Sequence, residues 1–189
     1  MKFLRNLWHY LTVLKRANQH RTDLMGWLVR RPWLLLGTSF YEFSFMASNT
    51  MDGKLKSLAE LKVAGMINCE FCLDIGSALA YADGVTEQQI RDLPRYKTSD
   101  AYNDDEKLVL EFAEAITLTP AVNIEGIRDR MLQRFSRAQV AELAALIAWE
   151  NQRARVNQAL GVRPMGTAEG MVCAIPDRPA ASGDYPPNA

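Results

Sequence analysis

The chain has 189 residues, 48% of them apolar, and its 22 basic and 22 acidic side chains cancel. That length and composition fit a single soluble domain with a real core and exclude a disordered chain. Zero net charge excludes a global field that would draw the chain to nucleic acid, so none is expected as a partner.

The charge is unevenly spread. Residues 1–31 carry Lys2, Arg5, Lys15, Arg16, Arg21, Arg30 and Arg31 against Asp23 alone. Phe3, Leu4, Leu7, Trp8, Leu11 and Leu14 recur there at helical spacing. The segment reads as a basic helical arm that packs on the domain or on a second subunit. Rest on an anionic membrane surface is the less favoured alternative, because Asn6 and His9 dilute a short stripe. His9 and His20 read as surface residues. No signal peptide is visible, and three cysteines without export signals point to a reducing, cytoplasmic setting.

Thr22 or Asp23 can cap a short second helix. Pro32 suits a helix first turn, so a third helix is expected over residues 32–49. Its window 33–46 is the most apolar of the chain, and it reads as a buried helix that contains Glu42. Residues 49–53 form a turn, and residues 54–66 the next helix. A helix starting near Asn68 runs to about residue 82, where Asp83-Gly84 stops it. Thr86 and Gln89 make a capping-box pattern. A loop around Pro94 leads to Asn103 or Asp104, which caps a helix over 105–118 with an acidic first turn. Residues 124–135 form another helix. Ser136 caps a long one over 137–160, closed by Gly161 and Pro164.

Apolar residues space at three and four throughout, and period-two alternation is absent. The expected fold is therefore all-α: a compact multi-helix bundle with one domain over 32–163, the arm over 1–31, and an extended or disordered tail over 164–189 that holds Cys173.

The chemistry sits in Asn68-Cys69-Glu70-Phe71-Cys72. Two cysteines three apart share one helix face. Unpaired N–H groups and the positive end of the dipole at a helix start stabilise a thiolate. A structural zinc site needs four ligands, and the chain offers only Cys173, His9 and His20 besides the pair. No metal and no cofactor are expected, and a dithiol redox pair is the preferred reading.

The run from Leu58 through Gly65-Met66-Ile67-Asn68-Cys69-Glu70-Phe71-Cys72, then an Ala-rich helix, then Gly84-Val85-Thr86-Glu87, resembles the carboxymuconolactone decarboxylase family. Within it the closest pattern is the alkylhydroperoxidase D-like branch, over about residues 50–118 and more loosely to 160. The resemblance implies an all-helical homo-oligomer with peroxiredoxin-like thiol peroxidase or disulfide oxidoreductase activity. Cys72 would meet the peroxide and become a sulfenic acid, Cys69 would condense with it, and a dithiol reductant would reset the pair. The partners so implied are a small peroxide or disulfide substrate and that reductant.

Two positions depart from the family pattern. Its histidine four residues after the second cysteine is Gly76 here, and its glutamate twelve residues before the first is Ser57. Thiolate formation must then rely on the helix terminus, or on a base from elsewhere, for which Glu60, Asp74, Glu150 and Arg153 are the candidates. Lactone decarboxylation is set aside, because members that perform it generally lack the CxxC. The rival reading is a non-catalytic oligomeric helical protein with a redox-sensing or vestigial CxxC.

Overall fold

The run Gly53–Ile67 places apolar side chains on every side of a helix, and such a helix must be buried all round. In the computed structural model, which describes residues 2–17 and 20–174, this helix is the axis of the bundle. Among the described residues there are nine α-helices and no strand: α1 Lys2–Arg16, α2 Asp23–Leu28, α3 Pro32–Ala47, α4 Gly53–Ile67, α5 Glu70–Ala82, α6 Glu87–Asp92, α7 Asp104–Thr117, α8 Ile124–Arg134 and α9 Arg137–Ala159. The all-α reading holds.

α4 packs against α5, α7 and α9 and feeds two cores. Leu58 and Leu61 meet Cys72, Leu73 and Leu110 on one side. Ala59 and Val63 meet Val109, Phe112, Leu143 and Ile147 on the other. The helix starts are chemically specified. Thr86, Asn103 and Ser136 each accept from the backbone N–H three residues on, while Gln89, Glu106 and Gln139 return the bond. Thr22 precedes α2 as expected, yet its side chain makes no capping bond.

A second anchor joins α9 to the start of α4. Glu142 is buried at 7% exposure and accepts from Thr50 N (2.9 Å), Met51 N (3.1 Å), the Thr50 hydroxyl and Lys56 Nζ (2.9 Å). These donors hold its carboxyl at about 2, well below the ordinary range, against the opposing pull of burial.

Two expectations need correction. The apolar window 33–46 does form a helix, α3, but none of its residues is buried. α1 and α2 pack against it and α9 reaches Tyr41 and Glu42, yet Trp33, Leu36 and Phe40 stand 84%, 60% and 72% exposed. Hydrophobicity alone cannot say whether the cover comes from the same chain. The tail, for its part, is irregular yet docked through residue 174. Met165, Thr167 and Ala168 donate their N–H groups to Asp74, and Ala174 N donates to the Ser77 hydroxyl. Residues 175–189 of the expected tail lie outside the described residues, as does the side chain of Phe3.

Candidate active site

The CxxC turn is built by the end of one helix and the start of the next. Asn68, in the left-handed conformation (φ 61°), closes α4, and Cys69 N donates back to Ala64 O at 3.0 Å. Cys69 is then extended and serves as N-cap of α5, its Sγ accepting from Cys72 N at 3.3 Å. The helix thus begins one or two residues later than Asn68. The cysteines occupy the N-cap and third helical positions, where orphan N–H groups converge. They are joined as a disulfide with 5.2 Å between the Cα atoms.

Both cysteines are buried, yet they differ in access. Cys72 lines a cavity of about 140 Å³, and Cys69 does not. Its apolar lining is Phe71, Ile75 and Leu79 from α5, Leu24 and Leu28 from α2, and Val156 from α9. Asn157, also from α9 and 3% exposed, donates from Nδ2 to Cys72 Sγ at 3.6 Å.

The rest of the lining is largely polar. Arg153 of α9 bridges three carboxylates: Glu42 of α3 (2.9 Å), Glu60 of α4 (2.6 Å) and Glu150 of its own helix. Glu42 also accepts from Trp149 Nε1 at 2.8 Å. One guanidinium cannot neutralise three acids, and burial disfavours the surplus charge. Burial accordingly raises the carboxyl of Glu60, and it lifts that of Glu150, which is 1% exposed, to about 7. Arg153 is held well above its ordinary value by Glu150, Glu42 and Glu60, although burial opposes this. Tyr10 of α1 closes the group, its phenol raised by burial and then by Glu42.

A second cavity of about 340 Å³ shares Tyr10, Glu42, Ser57, Glu60 and Arg153 with the first. It extends towards His9 and Lys56. His9 is half-buried there rather than on open surface, and its Nδ1 has no hydrogen-bond partner among the described residues.

Of the residues expected at the site, Cys69 and Cys72 are joined, and Glu60, Glu150 and Arg153 line the cavity that Cys72 faces. Asp74 does not. Two residues beyond Cys72 is about 200° around a helix, so Asp74 points away from the cavity. Both its oxygens are taken by tail N–H groups. Its role in the structure is to dock the tail. Gly76 does line the cavity, but a Cβ there would lie 3.1 Å from Leu61 Cδ2. Leu61 thus fills space that a larger side chain would need. Ser57 donates its hydroxyl to Asp83 at 2.6 Å.

Glu42, Tyr10 and Asn157 were missed as site residues. Glu42 carried a signal, being the one charge in an apolar stretch. Asn157 lies one turn beyond Arg153 on the same face. Nothing in the sequence marked Tyr10. Among the described residues no cluster of three or more His, Cys, Asp or Glu is arranged to hold a metal ion.

Comparison with known proteins agrees with this architecture. Residues 33–115 match the model of the carboxymuconolactone decarboxylase family. The uncharacterised protein YnjA of Escherichia coli K12 is 29% identical over 153 residues, covering 80% of this chain and 81% of its own. The uncharacterised protein YdfG of Bacillus subtilis 168 is 28% identical over 120 residues, 63% of this chain and 82% of its own. Among solved structures, the apo debrominase Bmp8 superposes with a TM-score of 0.69 at 21% identity, covering 84% of this chain and 87% of that one. A protein of unknown function from Agrobacterium tumefaciens, proposed as an antioxidant defence protein AhpD, gives 0.67 at 19% identity, over 73% and 94%. Over residues 33–115 the chain thus resembles the carboxymuconolactone decarboxylase family, and it shares the all-helical fold of these solved structures.

Proposed function

We propose that this protein is a cytoplasmic dithiol oxidoreductase acting on small peroxides or disulfides, with Cys72 attacking and Cys69 resolving. The observation that carries this reading is the asymmetry of the pair: Cys72 faces a cavity and Cys69 lies behind it. The Cys72 thiolate attacks the distal oxygen of a hydroperoxide, breaking the O–O bond. The alkoxide leaves as an alcohol after taking one proton, and Cys72 becomes a sulfenic acid. The Cys69 thiol condenses with it, forming the S–S bond and releasing water. An external dithiol returns two electrons and two protons by exchange through a mixed disulfide.

Each turnover needs a proton store near Cys72. Gly76 and Ser57 cannot provide it. The carboxyl group of Glu60 or Glu150 can, because three acids around Arg153 retain a proton near neutrality. Asn157 and the α5 N-terminus stabilise the thiolate. Apolar walls suit an organic peroxide or disulfide better than a strongly hydrated one. The described helices are none of them long and apolar enough to cross a membrane, which accords with a cytoplasmic protein.

The test uses reduced protein and follows both peroxide consumption and dithiol oxidation. Cys72→Ser abolishes both. Cys69→Ser consumes one equivalent of peroxide and leaves a sulfenate that a 1,3-diketone probe captures. Equal peroxide consumption by wild type and the double variant overturns the reading. The rival, a redox-sensing pair without turnover, draws support from Gly76 and Ser57. Reduced Cys72 that alkylates with the pH profile of an ordinary thiol, near 8.5, would favour it.

A further inference from the structure

Cys72 is buried, so a reagent reaches its sulfur through the cavity rather than from open surface. One wall of that cavity is thin. Leu24 and Leu28 of α2 stand one turn apart on the same side of the helix and line it. The opposite side carries Gly26, where an added Cβ would meet no atom within 4 Å. Met25 and Trp27 on the flanks are exposed. α2 thus has the cavity on one side and open space on the other. It is six residues long, buries none of them and packs mainly on α3. A helix so short and so little buried is not stable by itself and stays where its ties hold it.

One such tie comes from the tail. Asn157 O accepts from Val162 N at 2.9 Å, and Asp74 accepts from Met165 N at 2.9 Å. The chain on either side of Arg163 is therefore fixed, to α9 before it and to α5 after it. From this post Arg163 reaches Asp23, the first residue of α2, with Nε at 3.0 Å and Nη2 at 3.3 Å, one to each carboxylate oxygen. A two-pronged contact fixes direction as well as distance. The end of α1 meets the same tail, Arg16 Nη1 lying 3.0 Å from Met171 Sδ. The Arg163 side chain is exposed, and an ion pair of that kind is weak. It biases the position of a short helix without locking it.

We infer that α2 is a lid held shut over Cys72 by the tail, and that Leu24 and Leu28 set the size of the organic group that is admitted. With the lid shut the cavity measures about 140 Å³. An apolar cavity of about 150 Å³ holds one benzene ring. The substrate class is then a hydroperoxide or disulfide with a short alkyl chain or a single ring beside the reacting atom. Anything bulkier waits for Asp23 to part from Arg163. This class rests on the redox reading above, but the lid does not, because it governs any reagent that approaches Cys72. The arrangement also gives the docked tail a use: Asp74 anchors residues 165–168, the anchored tail positions Arg163, and Arg163 positions the lid.

The test follows alkylation of the reduced, full-length protein by N-methylmaleimide, which fits the closed cavity, and by N-pyrenylmaleimide, which does not. Sequencing of the labelled peptides by mass spectrometry separates Cys72 from Cys69 and Cys173. Wild type is expected to favour the small reagent more strongly than glutathione, a free thiol, does. Leu24→Ala with Leu28→Ala is expected to raise the rate with the large reagent about tenfold and to leave the small one within about twofold. Asp23→Asn and Arg163→Gln are each expected to speed the large reagent about two- to fivefold, and the double variant no further, because both remove the same tie. Circular dichroism checks each fold, and should the paired leucine variant fail to fold, Leu28→Val supplies the same readout. A wild type with the reagent ratio of glutathione, or folded leucine variants that leave the wild-type ratio unmoved, overturns the proposal. So do tie variants that change nothing or whose effects add. Nothing is turned over in this assay, so a protein that shows the lid and consumes no peroxide refutes the redox reading alone.

Discussion

Two buried glutamates lie about two turns apart on α9, and they do opposite things. Glu142 is surrounded by donors: two backbone N–H groups, a hydroxyl and the Lys56 ammonium. Glu150 is surrounded by competitors, since Arg153 is shared with Glu42 and Glu60. One carboxyl is held at about 2 and the other at about 7. Burial pushes both carboxyls up, and harder on Glu150, which is 1% exposed against 7% for Glu142. Depth of burial and the ratio of donors to acids together decide whether a buried glutamate becomes a fixed anion that ties helices together or a group that keeps a proton near neutrality.

The largest expected break in that comparison is at the anion. Glu142→Ala leaves Lys56 with only the Ser48 carbonyl as a hydrogen-bond partner among the described residues and strands two backbone donors, and removing one partner from a buried ion pair costs about 3 kcal/mol. Urea unfolding at neutral pH should show that loss, with the pH profile of Cys72 alkylation unmoved. A change below about 1 kcal/mol would mean that water replaces the carboxylate without penalty.

The pH behaviour of the two sites has opposite sign. Glu142 binds its proton more weakly folded than unfolded, so its contribution is present above the ordinary carboxyl range and is lost as the pH falls towards 2. Glu150 binds its proton more tightly folded, so its contribution is complete below that range and drains as the pH rises towards 7. Glu150→Gln keeps the shape and cannot titrate. In this variant, the part of that loss due to Glu150 should disappear, leaving the part due to Glu60, whose carboxyl burial also raises. The break near neutrality in Cys72 alkylation should disappear with it. Wild type and variant with parallel stability profiles would remove Glu150 from the proton-holding role.

The same contrast marks what could be read in advance. Caps, turns and three-and-four spacing are local, and they located α4 to α9 to within a residue or two, CxxC turn included. Glu60, Glu150 and Arg153 were legible as candidates because polar residues on apolar helices need partners. Which partners they had was not legible, since Glu42 arrives from a helix more than a hundred residues away in sequence. Asp74 was misread because proximity along the chain is not proximity around a helix. The window 33–46 was read as core because its composition is that of core. Only the packing revealed that α3 turns its apolar outer face to water.

A smaller effect separates the hydrogen bond on sulfur from the carboxyl cluster. Asn157 lies one turn beyond Arg153 and is the described side chain that donates to Cys72 Sγ. Sulfur is a poor acceptor as a thiol and a good one as a thiolate. Asn157→Ala should therefore weaken the thiolate more than the thiol. With a net bond worth about 1 kcal/mol, alkylation of reduced Cys72 at neutral pH should slow about fivefold. Global stability should fall by a similar amount, about 1 kcal/mol. The break contributed by Glu150 should stay where it was, because Asn157 carries no proton that titrates. If alkylation slows and that break also moves, the amide acts through the Arg153 cluster rather than on the sulfur. If neither changes, thiolate stabilisation rests on the N–H groups of the α5 N-terminus alone.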